Sequence, residues 1–353
     1  MKQGHQHHRQ PDRREHGSLR PAARTDGRAS QPGGPLHRAD QAEHRAENAE
    51  HDHRGKGIAI GVLLALLLCS GAAWASPEAS GGQALTVWFA ILLGAIQGAT
   101  EFLPVSSSGH LSLGQAWLGI DPAAAGHRFN IVLHAGTLIA VIWVYRSDVR
   151  KLLAVLLAPT EDTADRRRLI RMFIASLPLG IALVPAVEEL VVAMESEVRL
   201  VGVALLVTAV ILFAAFRPGR GDGETTDEPP TAKQALLIGV AQVFAVMPGI
   251  SRSGSTIAAG LAVGLDRPRA ARFSFLISLI AVGGATAKEV LDMLGDSASG
   301  EAIAIVPFAA GFVTSLVVGL LSLRGLLYLV GKGRVLGFVI YLVLMGTFAI
   351  AIG

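Results

Sequence analysis

The sequence predicts an all-α polytopic membrane protein, built as an inverted-topology repeat with six spanning helices and two re-entrant helical hairpins. Three observations carry that prediction. Of the 353 residues, 51% are hydrophobic and only 17% are charged, a balance typical of membrane rather than soluble proteins. Six apolar stretches are long enough to cross a bilayer, which takes about 20 residues. Two further apolar regions, each interrupted by Pro, Gly and Ser, align with one another at an offset of 145 residues (Ser106 onto Ser251).

Residues 1–56 are dominated by His, Arg, Gln, Asp, Glu and Gly and bury too little apolar surface to fold alone, so they read as a disordered polar extension. Eight of the eleven histidines lie there, but their irregular spacing and the absence of accompanying cysteines argue against a metal-binding tract. Residues 57–80 follow a basic stretch and contain Ala73-Trp74-Ala75, which has the small-x-small form of a signal-peptidase site and predicts a signal peptide or signal anchor. The single cysteine, Cys69, excludes an intramolecular disulfide. A net charge of +3 gives no support for nucleic-acid binding.

The membrane-embedded domain spans 84–353, with crossings near 129–146, 170–191, 198–216, 271–289, 302–323 and 335–352. Connections 146–171, 217–233 and 324–334 carry Arg146, Arg150, Lys151, Arg166, Arg167, Arg168, Arg217, Arg220, Lys233, Arg324, Lys332 and Arg334, and the positive-inside rule places them in the cytoplasm. The acidic connections at 193–198 and 292–301 then face outward. It follows that helix 129–146 starts outside, whereas helix 271–289 starts inside beside Arg267, Arg269 and Arg272. Each broken region returns to its own side as a re-entrant hairpin: 84–119 from outside and 234–265 from the cytoplasm.

The two hairpins share a pattern. Gly94, Gln97, Ser106, Ser108, Gly109, Gly119 and Asp121 fall on Gly239, Gln242, Ser251, Ser253, Gly254, Gly264 and Asp266. The prolines Pro104 and Pro248 are one place out of register. Inverted repeats with broken helices bring irregular backbone together at mid-membrane, where free N–H groups and helix N-termini hold an anion. Such backbone is tolerated only where protein or a water-filled cavity surrounds it.

Arg252, in Pro248-Gly-Ile-Ser-Arg-Ser-Gly-Ser-Thr256, is costly at the bilayer centre and must face a partner; its planar fork suits a phosphate or carboxylate. An ion pair with Glu101 that only ties the hairpins together is the plainer alternative. Against it stand Gly249, Ser251, Ser253, Gly254, Ser255 and Thr256, which resemble an oxyanion cradle. Gln97 and Glu101 share one helical face, and Glu101 is a candidate base or ligand for a divalent cation, Mg²⁺ or Ca²⁺. His110 offers acid, base or nucleophilic chemistry, and Ser106, Ser107 and Ser108 offer hydroxyl nucleophiles. His127 and His134 are weaker candidates, and Glu188, Glu189 and Lys288 read as charges at helix ends.

Gln97-x-x-x-Glu101-Phe-Leu-Pro-Val-Ser-Ser-Ser-Gly-His110, followed by Pro248-Gly-Ile-Ser-Arg252-Ser-Gly-Ser-Thr256, resembles the undecaprenyl-diphosphatases, also called bacitracin-resistance proteins. The resemblance runs from about residue 84 to the end. It implies hydrolysis of undecaprenyl diphosphate to undecaprenyl phosphate and inorganic phosphate at the outer (periplasmic) face of the bacterial cytoplasmic membrane. It further implies that Glu101 and Gln97 serve the cation or proton transfer, that Ser107 or His110 attacks phosphorus, and that Arg252 with Ser251, Ser253 and Thr256 holds the diphosphate. Family members often have Glu at the position of Gln97, and glutamine coordinates through oxygen without bringing charge. The partners implied are the lipid substrate and membrane lipids, and a homodimer is compatible with the resemblance.

Two other functions fit the same architecture. A transporter or flippase would need the head-group site but no nucleophile beside a base. A scaffold would use polar residues as helix glue, but polar pairs between membrane helices contribute on average only about 0.6 kcal/mol, which does not call for such a density of polar groups.

Overall fold

The computed structural model describes residues 86–118, 122–157, 163–223, 226–295 and 305–353. The polar extension, the signal segment, the start of the first hairpin, the acidic connection beyond residue 295 and the side chain of His127 lie outside the described residues. Among the described residues every regular element is a helix. Its elements are α1 (Val87–Thr100), α2 (Ser107–Leu118), α3 (Pro122–Val144), α4 (Arg146–Leu157), α5 (Ala164–Ser176), a 3₁₀ segment (Leu177–Leu183), α6 (Pro185–Glu195), α7 (Val198–Ala215), α8 (Ala232–Phe244), α9 (Arg252–Ala262), α10 (Arg267–Gly295), α11 (Ile305–Gly331) and α12 (Leu336–Ile352).

Among the described residues, three helical stretches are long and apolar enough to cross a membrane: Val198–Ala215, Arg267–Lys288 and Ile305–Gly331. Two bent pairs raise the number to five when each counts as one span. α3 turns by 88° into α4, and α5 with its 3₁₀ extension turns by 79° into α6. The stretch 170–191 is therefore not one straight crossing. Pro178 stands at the start of the 3₁₀ segment and Pro185 opens α6, and proline both removes an intrahelical donor and clashes with the preceding turn. α12, at 17 residues, is a shorter apolar helix. Large apolar side chains such as Trp88, Phe213 and Leu344 lie exposed on the outer surface, as suits lipid.

The 145-residue offset of the sequence recurs in the helix limits: α1 and α8 begin at 87 and 232, α2 and α9 at 107 and 252, and α3 and α10 at 122 and 267. Packing follows the same exchange, since α1 packs on α11 while α8 packs on α5, and α3 meets α10 as α7 meets α12. The α1–α11 seam is built of small residues. A Cβ on Gly94 would lie 2.5 Å from the Gly311 carbonyl oxygen, and one on Gly98 would lie 2.6 Å from that of Ser315. Close backbone approach of this kind is how membrane helices pack when lipid is as apolar as their side chains.

The first break is pinned by apolar anchors. Phe102, Leu103 and Val105 in the first are buried, and the Phe102 ring packs edge-on against Phe275 of α10 with centroids 5.8 Å apart. On the basic side of the molecule, Arg272 pairs with Asp148 and Asp227, Arg267 with Asp222, and Arg168 with Asp165 and Asp227. This network straps the 217–231 connection across α5 and α10. Lys288 and Glu188 lie 3.9 Å apart as an exposed ion pair.

Candidate active site

The two breaks meet through their backbones. Ser106 takes a left-handed conformation, φ 71°, which is rare for a residue with a Cβ. Its hydroxyl accepts hydrogen bonds from Gly249 N–H (3.1 Å) and Gly109 N–H (3.4 Å), so one side chain both caps α2 and fastens the second break. Ser251, its counterpart, caps α9 by accepting from Gly254 N–H at 3.1 Å. A Cβ on Gly109 would sit 3.0 Å from Gly249 Cα, and one on Gly254 would sit 3.2 Å from Pro104 Cβ. Subtracting 145 from 254 and 249 gives 109 and 104, so these two contacts are images of each other. The first turns of α2 and α9 are thereby pressed together, with their unpaired N–H groups and positive dipole ends side by side.

These first turns line a cavity of about 280 Å³, walled by Thr100, Glu101, Ser106, Ser107, Ser108, His134, Leu179, Gln242, Ala245, Val246, Ile250, Ser251, Arg252 and the 281–286 stretch of α10. Its polar centre is Glu101, which is 7% exposed. One carboxylate oxygen accepts from the Arg252 guanidinium. The other accepts from the Ser107 hydroxyl at 2.7 Å and from the Gln97 amide at 3.1 Å. The two carboxylate oxygens thus divide the work. One meets the charge donated by the second break, and the other meets the Ser107 hydroxyl and the Gln97 amide of the first hairpin.

Of the residues singled out in the sequence, Glu101, Ser106, Ser107, Ser108, Ser251 and Arg252 come together on the wall. Gln97 lies behind Glu101. Gly249 acts through its backbone: φ is +92°, and a Cβ would be 2.6 Å from both Ala204 Cβ and the Val201 carbonyl oxygen. Ser253 donates to the Leu103 carbonyl at 3.3 Å, and Thr256 donates to the Arg252 carbonyl (2.7 Å) and meets Ser274 Oγ at 2.6 Å. Both fix α9 in place and neither is on the wall.

His110 is also behind the wall. Its Nδ1–H donates to the Ser106 carbonyl at 2.7 Å, and its Nε2 accepts from the Tyr341 hydroxyl at 2.7 Å. The ring braces the strained Ser106 turn against α12, stacked on Tyr341. His134, the weaker candidate in the sequence, reaches the cavity instead: Nδ1–H donates to the Asn130 carbonyl at 2.8 Å, and Nε2 lies 3.9 Å from Glu101. Thr208 gave no sequence signal beyond a hydroxyl in an apolar helix. It donates to the Gly249 carbonyl at 2.9 Å and accepts from Ser251 N–H at 3.1 Å, holding the second break to α7.

Among the described residues there is no cluster of three or more His, Cys, Asp or Glu that could hold a metal unaided. The oxygen donors on the wall that suit a hard cation are the Glu101 carboxylate and the serine hydroxyls, whereas Gln97 Oε1, buried without a hydrogen-bond partner, lies behind Glu101 and off the wall.

Comparison with known proteins gives one consistent answer. The undecaprenyl-diphosphatase of Syntrophotalea carbinolica is 41% identical over 267 residues, covering 74% of this chain and 97% of the relative. That of Methanosphaera stadtmanae is 37% identical over 283 residues, covering 75% and 98%. Undecaprenyl-diphosphatase 1 of Bacillus licheniformis is 36% identical over 263 residues, covering 72% and 94%. Residues 90–348 match the family model described as bacitracin resistance protein BacA. They include both breaks and every wall residue of the cavity, and the chain belongs to that family.

Proposed function

We propose that this protein hydrolyses undecaprenyl diphosphate to undecaprenyl phosphate and inorganic phosphate, returning the lipid carrier to envelope synthesis and so countering bacitracin. The convergence of Glu101, Ser107 and Arg252 on one cavity carries this reading. The Arg252 guanidinium and the first-turn N–H groups of α2 and α9 neutralise the diphosphate. Ser107 Oγ attacks the terminal phosphorus while its proton passes to Glu101 along the 2.7 Å hydrogen bond. The bond from that phosphorus to the bridging oxygen breaks, and undecaprenyl phosphate leaves. Water then hydrolyses the phosphoserine, releasing inorganic phosphate and restoring the hydroxyl. His110 is the alternative nucleophile from the sequence, but both its ring nitrogens are engaged behind the wall. A divalent cation, when bound, would draw charge from the phosphoryl oxygens, and Glu101 and Ser107 would hold it, with Gln97 supporting the Glu101 carboxylate from behind.

The same reading places the protein in the bacterial cytoplasmic membrane as an inverted repeat, α1–α7 against α8–α12, with six crossings and the two breaks re-entrant. The basic connections gathered around Arg272 and Arg168 support a cytoplasmic placement of that side. The wall residues 281–286 of α10 lie 9 to 14 positions beyond Arg272, about 14 to 21 Å along the helix at about 1.5 Å per residue. That displacement supports a cavity opening toward the outer face. The deciding experiment is phosphate release from undecaprenyl diphosphate by purified protein, with and without chelator, beside Glu101→Gln and Arg252→Ala. Both substitutions should abolish release; activity persisting in either folded variant would refute the mechanism.

A further inference from the structure

We propose that the Gln242 carboxamide is a direct ligand of the substrate's diphosphate group, an inference that rests on the lipid-diphosphatase reading. Gln242 lies in the last turn of α8 and is 1% exposed. It stands on the wall of the cavity that holds Glu101 and Arg252. Neither its amide nitrogen nor its amide oxygen has a hydrogen-bond partner. Buried amides without partners are rare because leaving them so is costly. An unpaired amide on the wall of a cavity that also holds a carboxylate and a guanidinium acquires its partner from the cavity's occupant.

The repeat explains why this amide is left over. Gln97 and Gln242 are counterparts, 242 being 97 plus 145, and both are buried in the last turn of their helices. Four residues on, the first repeat has Glu101, which accepts from the Gln97 amide at 3.1 Å. The second repeat has Val246 at that position, also on the wall, and valine accepts nothing. Gln242 Nε2 is therefore free to donate to a phosphate oxygen, and its Oε1 to accept from the water that completes hydrolysis. The contact falls beside Ser251 and Arg252, both on the same wall. It adds a neutral donor to a cradle otherwise composed of one guanidinium and helix N-termini.

The test is Gln242→Met in the full chain, which keeps the side-chain length and removes both polar atoms. The melting midpoint should hold or rise, because two unpaired buried groups are gone. KM for undecaprenyl diphosphate and the inhibition constant of inorganic pyrophosphate should rise together, by about 10- to 100-fold, the range of one hydrogen bond to a charged group. An unchanged pyrophosphate constant would overturn the proposal, as would a lower midpoint with unaltered KM. Gln242→Asn, which withdraws the amide by one methylene, must show the same paired rise if the Met variant does not fold. If the wild type releases no phosphate, the phosphatase reading fails separately. Calorimetric titration of pyrophosphate into wild type and Gln242→Met then still decides whether this amide holds a diphosphate.

Discussion

Removing the charge of Arg252 separates what the Glu101–Arg252 pair does for the fold from what it does for the reaction. In Arg252→Met, Glu101 keeps a side-chain exposure of only about 6% and loses its counter-charge. Breaking a buried pair from one side costs about 3–5 kcal/mol. The lower end applies here, because the other carboxylate oxygen still accepts from Ser107 and Gln97. About 3 kcal/mol corresponds to a fall of roughly 4 to 6 °C in the melting midpoint of a chain this size. Adding Glu101→Gln removes the stranded charge, and replacement of a whole buried pair is often neutral or stabilising, so the double variant should recover most of that fall. Neither variant should release phosphate. Thermal melts of the purified proteins in detergent, run beside a phosphate-release assay, read both effects. A double variant no more stable than the single would refute the electrostatic account, and phosphate release by the folded double variant would refute the catalytic one.

Other perturbations test the supports. Ser107→Ala should eliminate phosphate release with little change in melting, since its hydroxyl makes one bond and the position is half-buried. Tyr341→Phe should weaken the brace on His110 by about 0.5–1.5 kcal/mol and lower kcat in the same direction as His110→Ala, though less. Gly249→Ala should destabilise by about 2–5 kcal/mol, from the left-handed backbone together with the overlap at Ala204 and Val201, and should be recovered largely as aggregate. At low pH the strap responds: the hydrogen bond from Arg272 holds the Asp227 carboxyl below its ordinary value of 3.8. A lowered folded value means the contribution is full above 3.8 and is lost as pH falls through that lowered value. Hydrogen exchange over 226–231 should therefore accelerate on acidification, and Asp227→Asn should remove that response.

The two breaks were legible because their chemistry is local. Pro104, Gly249 and the capping serines Ser106 and Ser251 stop and restart helices wherever they occur, so a 145-residue offset in sequence became the same offset in helix limits. The break in 170–191 carried its own signal in Pro178, Gly180 and Pro185, which hydropathy averaging passes over. That His134 lines the cavity while His110 lies behind its wall was not legible. Which face of an apolar helix meets the cavity depends on how the helix is rotated by distant partners, and the hydroxyl that engages His110 is 231 positions away. Thr208 was hidden for the same reason, since its partners Gly249 and Ser251 are more than 40 positions along the chain.

The glycine seam between α1 and α11 also joins the earliest and one of the latest described helices to be synthesised. At 14 residues, α1 extends about 21 Å at about 1.5 Å per residue, short of the roughly 30 Å hydrocarbon layer. What holds it is the Gly311–Gly319 stretch of α11, which emerges from the ribosome more than 200 residues later (311 minus 94 is 217). The carboxylate that α1 delivers therefore reaches its place only near the end of synthesis. A nascent chain arrested before α11 carries both signature motifs but lacks the helix on which α1 packs most extensively.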